Sequence, residues 1–324
     1  MPHNFSPERV QKTVDPYRKL HQAFRSLFNS VEEHVMNRRD AFGKLGAWLL
    51  GICLAVVLAG VGCQTNPYTG RSQLLMISAS KEMQMGLQAY QQVLTDPKMK
   101  QSTDPREIEP VKRVAARVID AARKSKYADM ANQFSWEVTV IKDDKTMNAF
   151  ALPGGKIAVY TGIFQVAKTE AGLAAVMGHE VVHALARHGA ERMSQNMVAQ
   201  TTLQAAGTAL GASGANPLLS RAAMAALGAG TQVGVLLPFS RAHESEADYI
   251  GILLAAEAGY DPREAIRLWE RMEQASRGQS PPQFLSTHPS HRTRIKQLEK
   301  WMEEAVPLYQ AKPPAPNGEL LQIR

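Results

Sequence analysis

The pentapeptide His179-Glu180-Val181-Val182-His183 constrains this chain more than any other stretch. Residues four apart share one face of a helix. Two imidazoles on that face can reach a single ion, and zinc takes imidazole nitrogen at about 2.0–2.1 Å. Glu180 stands beside such an ion, where it can take a proton from water and pass it to a leaving amine. Val176, Val181, Val182, Ala184 and Leu185 embed the motif in apolar side chains. A His or Glu buried among them without a partner would be costly. The bland alternative is a helix with two satisfied core histidines.

A catalytic zinc holds three protein ligands and keeps one position open. The third candidate is Glu244, in the run Glu244-Ser245-Glu246-Ala247-Asp248. Glu244 and Asp248 are four apart on a predicted helix. Glu244 can bind the ion while Asp248 accepts a hydrogen bond from a ligand imidazole. Glu246 is expected to point elsewhere. His188, five residues after His183, is expected off the ligand face as a surface or structural residue. The alternative for the acidic run is a solvated helix start. A third cluster runs from Thr287 to Arg294 and contains His288 and His291. A donor there could stabilise an oxyanion. A helix start capped by Ser290 is the competing reading.

The two cysteines, Cys53 and Cys63, both fall in or at the end of the apolar run Leu45–Gly62. The remaining chain can have no internal disulfide and no cysteine-ligated metal, so a metal site there must use His and carboxylates. Arg38, Arg39 and Lys44 precede the run, which is the layout of a secretory signal. Gly60 and Gly62 before Cys63 resemble a bacterial lipoprotein signal with Cys63 as the acylated residue. An uncleaved anchor and a buried core helix are the alternatives. The expected location is a bacterial envelope, lipid-anchored and facing the periplasm, at the outer membrane by family-level inference from Gln64. The net charge of +7 suits a surface near anionic lipid. It is too diffuse for nucleic acid, and no nucleic-acid motif is present.

The organisation expected is a leader over 1–35, with Met36 as the true start, a signal or anchor over 36–63, a metallopeptidase domain over 64–310 and a disordered Pro-rich tail over 311–324. The fold class is mainly α with a small β-sheet. Helices are predicted over Ser80–Leu94, with Ser80 as cap, and over Pro105–Lys124. Strands are predicted over Trp136–Ile141, Asn148–Leu152 and Lys156–Tyr160, the last two joined by a Pro153-Gly154-Gly155 turn. One long helix from about Lys168 to Gln195 carries the His motif. The Ala- and Gly-rich stretch 205–234 reads as packed helices, with a lid as the alternative. Further helices are predicted over Ser245–Ala258, Asp261–Glu273 and His291–Ala305, the second with Asp261 as cap and Pro262 at its first position.

The strings VMGHEVVHALARHGAERMSQ, ESEADYIG, THPSHRTRI and NAFALPGGKIAVYTGI resemble the prenyl-protease-like, HtpX-like zinc metallopeptidase family. NPYTGRSQLLMIS resembles its periplasmic lipoprotein members. The resemblance implies a gluzincin-type fold, mostly helical with a small sheet over the active-site helix. It implies one zinc ion on His179, His183 and Glu244, Glu180 as base and Asp248 as the supporting acid. It implies a role in transition-state stabilisation for His288 and Arg294, or His288 as a latch on the metal. It implies that Asn148, Ala149, Phe150, Ala151 and Leu152 hold substrate backbone in extended form. The chain lacks the multi-span and helical-repeat regions of some members. The expected activity is endoproteolysis of unfolded or misassembled envelope proteins, with envelope assembly machinery as a further partner. The alternative is a chaperone or assembly factor whose protease site is usually latched.

Overall fold

Residues 62–212, 216–231, 237–276, 282–288 and 292–322 are described in a computed structural model of the chain. The leader and the apolar anchor expected before residue 62 lie outside them. So do the side chain of Cys63 and the expected cap Ser290. No helix among the described residues is long and apolar enough to cross a membrane.

Two units are present, residues 1–76 with 191–241 and residues 77–190 with 242–324. In the first, β1 (Gly62–Thr65) pairs antiparallel with β2 (Ser72–Leu75). Arg71 leaves this hairpin to form a two-pronged ion pair with the buried Glu191, at 2.6 and 2.8 Å. Most of a helix over His188–Ala212 and all of one over Pro217–Thr231 belong to this unit. The Ala- and Gly-rich stretch is thus helical in its described parts.

The second unit carries α1 (Ala79–Thr95), α2 (Pro105–Arg123) and α3 (Ala128–Gln133). Ser78, and not Ser80, caps α1, its side chain accepting from the Lys81 N–H. Strands β3 (Glu137–Ile141), β4 (Ala149–Leu152) and β5 (Lys156–Tyr160) form one sheet in the order β3-β5-β4. β3 runs parallel to β5, and β4 is an antiparallel edge. Gly154 and Gly155 both take φ of +84°, which the tight β4–β5 turn requires and side-chain-bearing residues resist.

The sheet's edge strand and α2 both pack on α4 (Glu170–Leu185). Every residue of α4 except His183 is buried. A helix apolar all round belongs in a core, and here it is the core's centre. Val111, Val114 and Val118 of α2 are fully buried, each burial stabilising by about 1.5–3 kcal/mol.

The single long helix predicted over 168–195 is two helices. α4 ends at Leu185 and α5 (His188–Ala212) begins after Arg187, whose φ is +57°. That left-handed turn costs a non-glycine residue roughly 1–2 kcal/mol. Arg187 is held there by a hydrogen bond to Glu82 at 2.7 Å and one to the Ile77 carbonyl at 2.6 Å. After α6 (Pro217–Thr231), α7 (Leu237–Glu257) starts earlier than the sequence suggests. α8 (Glu264–Ser276) starts later, leaving Pro262 in the preceding turn. α9 (Arg292–Gln310) is the last helix.

The tail was expected to be disordered, but it runs extended along the second unit. Leu320 is 2 % exposed. Ala315 donates to the Gly259 carbonyl and Leu320 to that of Lys168, both at 2.8 Å. Low hydrophobicity misled the expectation: the tail is retained mainly by backbone hydrogen bonds, which composition does not report.

Candidate metal centre

α4 and α7 cross in backbone contact at Gly178 and Gly251, and this crossing sets the site. His179 and His183 project from α4, while Glu244 and Asp248 project from α7. Among the described residues, donor atoms of His179, His183, Glu244 and His288 all lie within 4.8 Å of one another. His179 Nε2 and His183 Nε2 are 3.0 Å apart. Each is 3.4 Å from a different Glu244 oxygen. Two ring nitrogens so close need a cation between them, either a proton or a metal ion. With a carboxylate as third donor, the set fits a divalent metal.

Asp248 lies behind His179, its Oδ1 3.0 Å from His179 Nδ1. An ionised carboxylate only accepts, so Nδ1 carries the proton and Nε2 faces the ligand group. Arg294 grips Asp248 through Nε and, at 2.7 Å, through Nη2. Its guanidinium also sits 3.3 Å from Glu244 Oε2 and 3.5 Å over the Trp269 ring. Arg294 is 4 % exposed and braces both carboxylates.

His288 enters between α4 and α7. Its Nδ1 is 3.0 Å from Glu244 Oε2 and 3.2 Å from His179 Nε2. Its Nε2 is 3.2 Å from Glu180 Oε1. That oxygen is buried and makes no hydrogen bond. Phe284 stacks on the His288 ring, with centroids 4.5 Å apart.

The charges follow from burial and pairing. Burial pushes the Glu180 carboxyl above its usual range, a rise that His288, His179 and the Ala151 backbone N–H only partly offset. Burial alone would depress His179, but hydrogen bonds to Asp248 and Glu244 outweigh it and raise the imidazole to about 9. Burial pushes His183 well below its ordinary value. Glu244 and Asp248 are held low despite burial, Glu244 by His179 and His288, Asp248 by Arg294 and His179.

Ala149–Leu152 form β4 beside α4. Tyr160 N–H donates to the Asn148 carbonyl at 3.1 Å. Antiparallel pairs alternate, so Phe150 and Leu152 bond inward while Ala149 and Ala151 direct backbone groups away from β5, the Ala151 N–H to the Glu180 carboxyl. The Asn148 side chain occupies one of these, accepting from the Ala149 N–H at 3.0 Å.

Of the two readings of His188, surface or structural, the structural one holds. His188 is not at the surface, for it is 2 % exposed and its Nδ1 lies 3.0 Å from His183 Nδ1. Glu246 points elsewhere than the ligand group, to His188 Nε2 at 3.1 Å. The contact between His188 and His183 is not visible in the sequence because a straight helix places His188 about 140° from His183, and nothing in the residue types marks the bend at Arg187.

Residues 105–302 match the model of Peptidase family M48. The chain is 39 % identical over 277 residues to "Mitochondrial metalloendopeptidase OMA1" of Schizosaccharomyces pombe, covering 83 % of this chain and 75 % of that one. It is 31 % identical over 254 residues to the protein of the same name in Saccharomyces cerevisiae, covering 75 % and 70 %. It is 31 % identical over 234 residues to the "Beta-barrel assembly-enhancing protease" of Escherichia coli, covering 71 % and 46 %. The lipid-anchored bacterial envelope location is corrected by these matches, since relatives covering three quarters or more of this chain are mitochondrial by name. Acylation of Cys63, read from the apolar run and from Gly60 and Gly62, gains no support from these matches. The activity read from the motifs stands on firmer ground: this chain belongs to Peptidase family M48 and is a metalloendopeptidase.

Proposed function

We propose that the chain is a zinc-dependent endopeptidase acting on unfolded or misassembled proteins, alone or with the machinery that assembles them. The observation that carries this reading is the convergence of His179, His183 and Glu244 with Glu180 at their side. Two imidazoles and one carboxylate suit catalytic zinc better than the oxygen-rich cages of calcium or magnesium. A zinc ion held there would supply Lewis acidity toward water and toward the scissile carbonyl.

The chain's own residues supply the rest. Glu180, at the side of the ligand group, is placed to take a proton from water and return it to the leaving amine. Asp248 and Arg294 hold His179 in place. Ala149 and Ala151 turn their carbonyls to the outer edge next to α4, where an added strand can pair, while their N–H groups already meet Asn148 Oδ1 and Glu180. Only an extended segment can pair in that way, and folded proteins seldom present one. This is the support for unfolded or misassembled substrates.

Glu180→Gln should keep one zinc per chain and cut hydrolysis of unfolded casein by about 10²–10⁴-fold. Full activity in that variant would sink the reading, as would a wild-type chain that takes up no zinc.

His288 favours a second reading, in which the site is latched and the chain acts mainly as a chaperone or assembly factor. Its Nδ1 stands within 3.2 Å of both His179 and Glu244, among the donors themselves. Under this reading His288→Ala raises cleavage. Unchanged or lower cleavage removes it.

A further inference from the structure

His183 is anchored differently from His179. Among the described residues its Nδ1 meets no carboxylate but lies 3.0 Å from His188 Nδ1. The other nitrogen of His188, Nε2, lies 3.1 Å from Glu246 Oε2. His243 stacks on the His188 ring with centroids 4.4 Å and planes 13° apart, which fixes the plane of that ring. His188, Glu246 and His243 are all buried.

With Glu246 ionised and His188 neutral, the contacts along this chain of groups place the protons as follows. An ionised Glu246 only accepts, so His188 Nε2 carries the proton. A neutral His188 then has Nδ1 as its acceptor, and His183 Nδ1 must donate to it. The lone pair of His183 is left on Nε2, the nitrogen that faces His179 Nε2 and Glu244.

We propose that His188 and Glu246 are positioning residues that hold His183 in the tautomer able to ligate the metal. The inference rests on the metal reading of the site given above. α7 would then serve the two ligand imidazoles with two separate carboxylates, Asp248 directly and Glu246 through His188. The bend at Arg187 gains a purpose as well, since it folds His188 back under His183. Partners of this kind orient a ligand ring, and their loss typically costs about 10–100-fold in metal affinity.

The test uses the full chain, zinc affinity by competition with a chelator, and the melting temperature of the metal-free protein. His188→Leu removes both hydrogen bonds. His188→Asn keeps an acceptor oxygen close to where Nδ1 sits but cannot reach Glu246. The Leu variant should lose about 10–100-fold in zinc affinity, and the Asn variant should recover most of that loss. Metal-free melting temperatures of the two should agree. A purely structural role would lower both melting temperatures and leave zinc affinity intact. Equal affinity in the Leu variant and wild type, or no recovery with Asn, overturns the proposal.

Should both variants fail to fold, nitrogen-15 NMR of the wild-type histidines decides the matter. A proton on His183 Nδ1 is the expected result, and one on Nε2 overturns it. A wild-type chain that binds no zinc brings down the metal reading and this inference together. Normal zinc binding by wild type with an indifferent Leu variant brings down this inference alone.

Discussion

Gly178 on α4 and Gly251 on α7 meet backbone to backbone. A Cβ on Gly178 would stand 2.6 Å from the Gly251 carbonyl oxygen, and one on Gly251 would stand 2.8 Å from the His179 nitrogen. No side chain can yield there, because the obstruction is main chain. This contact sets the separation of the two helices that carry the ligand group. Gly178→Ala or Gly251→Ala should push them apart, destabilising the chain by about 1–3 kcal/mol. Because Glu244 and Asp248 ride on α7, zinc affinity should fall as well. Denaturant unfolding together with chelator competition checks both, and an alanine variant that keeps wild-type affinity would show that the crossing does not set the site.

Metal uptake should depend on pH in a way fixed by His179. Its imidazole is raised to about 9 from an ordinary 6.5 by Asp248 and Glu244, against the opposing effect of burial. A raised histidine stabilises the metal-free fold fully below pH 6.5, and this contribution is lost as pH climbs through 9. A metal ion must displace that proton to bind Nε2. Zinc affinity should therefore rise by about tenfold per pH unit between roughly 6.5 and 9, then level off. Binding at pH 7 should release close to one proton from this ring. Calorimetry in buffers of different ionisation enthalpy counts that proton, and a flat profile would refute the pairing.

Part of this arrangement was legible in the sequence. The His179–His183 spacing and the Glu244–Asp248 spacing each place two side chains on one helical face, and the fold delivers both pairs to one point. Trp136–Ile141 was legible because it alternates, and the turn before Lys156–Tyr160 because Pro153-Gly154-Gly155 is a local signal. His188 was not, because its approach to His183 depends on Arg187 adopting a left-handed turn. That turn is stabilised by Glu82 and Ile77, about a hundred residues away in sequence. The place of Arg294 was equally hidden. Sequence suggested an oxyanion donor, whereas its burial against Asp248 and Trp269 is a product of tertiary packing.

Asp248 joins two demands in one carboxylate, and its replacement should separate them. It accepts from His179 Nδ1 at 3.0 Å and pairs with the guanidinium of Arg294. Asn in its place has one oxygen for two donors and turns an amide toward the other. Asp248→Asn should cost about 10–100-fold in zinc affinity. It also leaves the Arg294 charge buried with a weakened partner, for a destabilisation of about 3–5 kcal/mol. Combining it with Arg294→Met removes the stranded charge. The double variant should regain stability in thermal melts while zinc affinity stays low. Recovery of both would mean that Asp248 serves only to neutralise Arg294.

The C-terminal tail closes the first turn of the active-site helix, and its removal should be felt at the metal centre. The first turn of a helix leaves N–H groups without intrahelical partners. In α4 these are met one by one. Glu170 N–H donates to the Gly318 carbonyl at 3.0 Å, and Ala171 N–H to Asn317 Oδ1 at 2.9 Å. Gly172 and Leu173 are served by the side chain and carbonyl of Thr169. Glu170 is further tied to Arg113 at 2.7 Å, which leaves the entry of the helix buried and fully bonded. Truncation after Lys312 strands two buried N–H groups, at about 1–3 kcal/mol each. Asn317→Ala alone should cost about 1 kcal/mol, the usual loss for a cap. Amide hydrogen exchange should locate the effect at Glu170 and Ala171, with a weaker response toward His179. Unchanged protection at those two amides in the truncated chain would show that the tail merely lies along the surface.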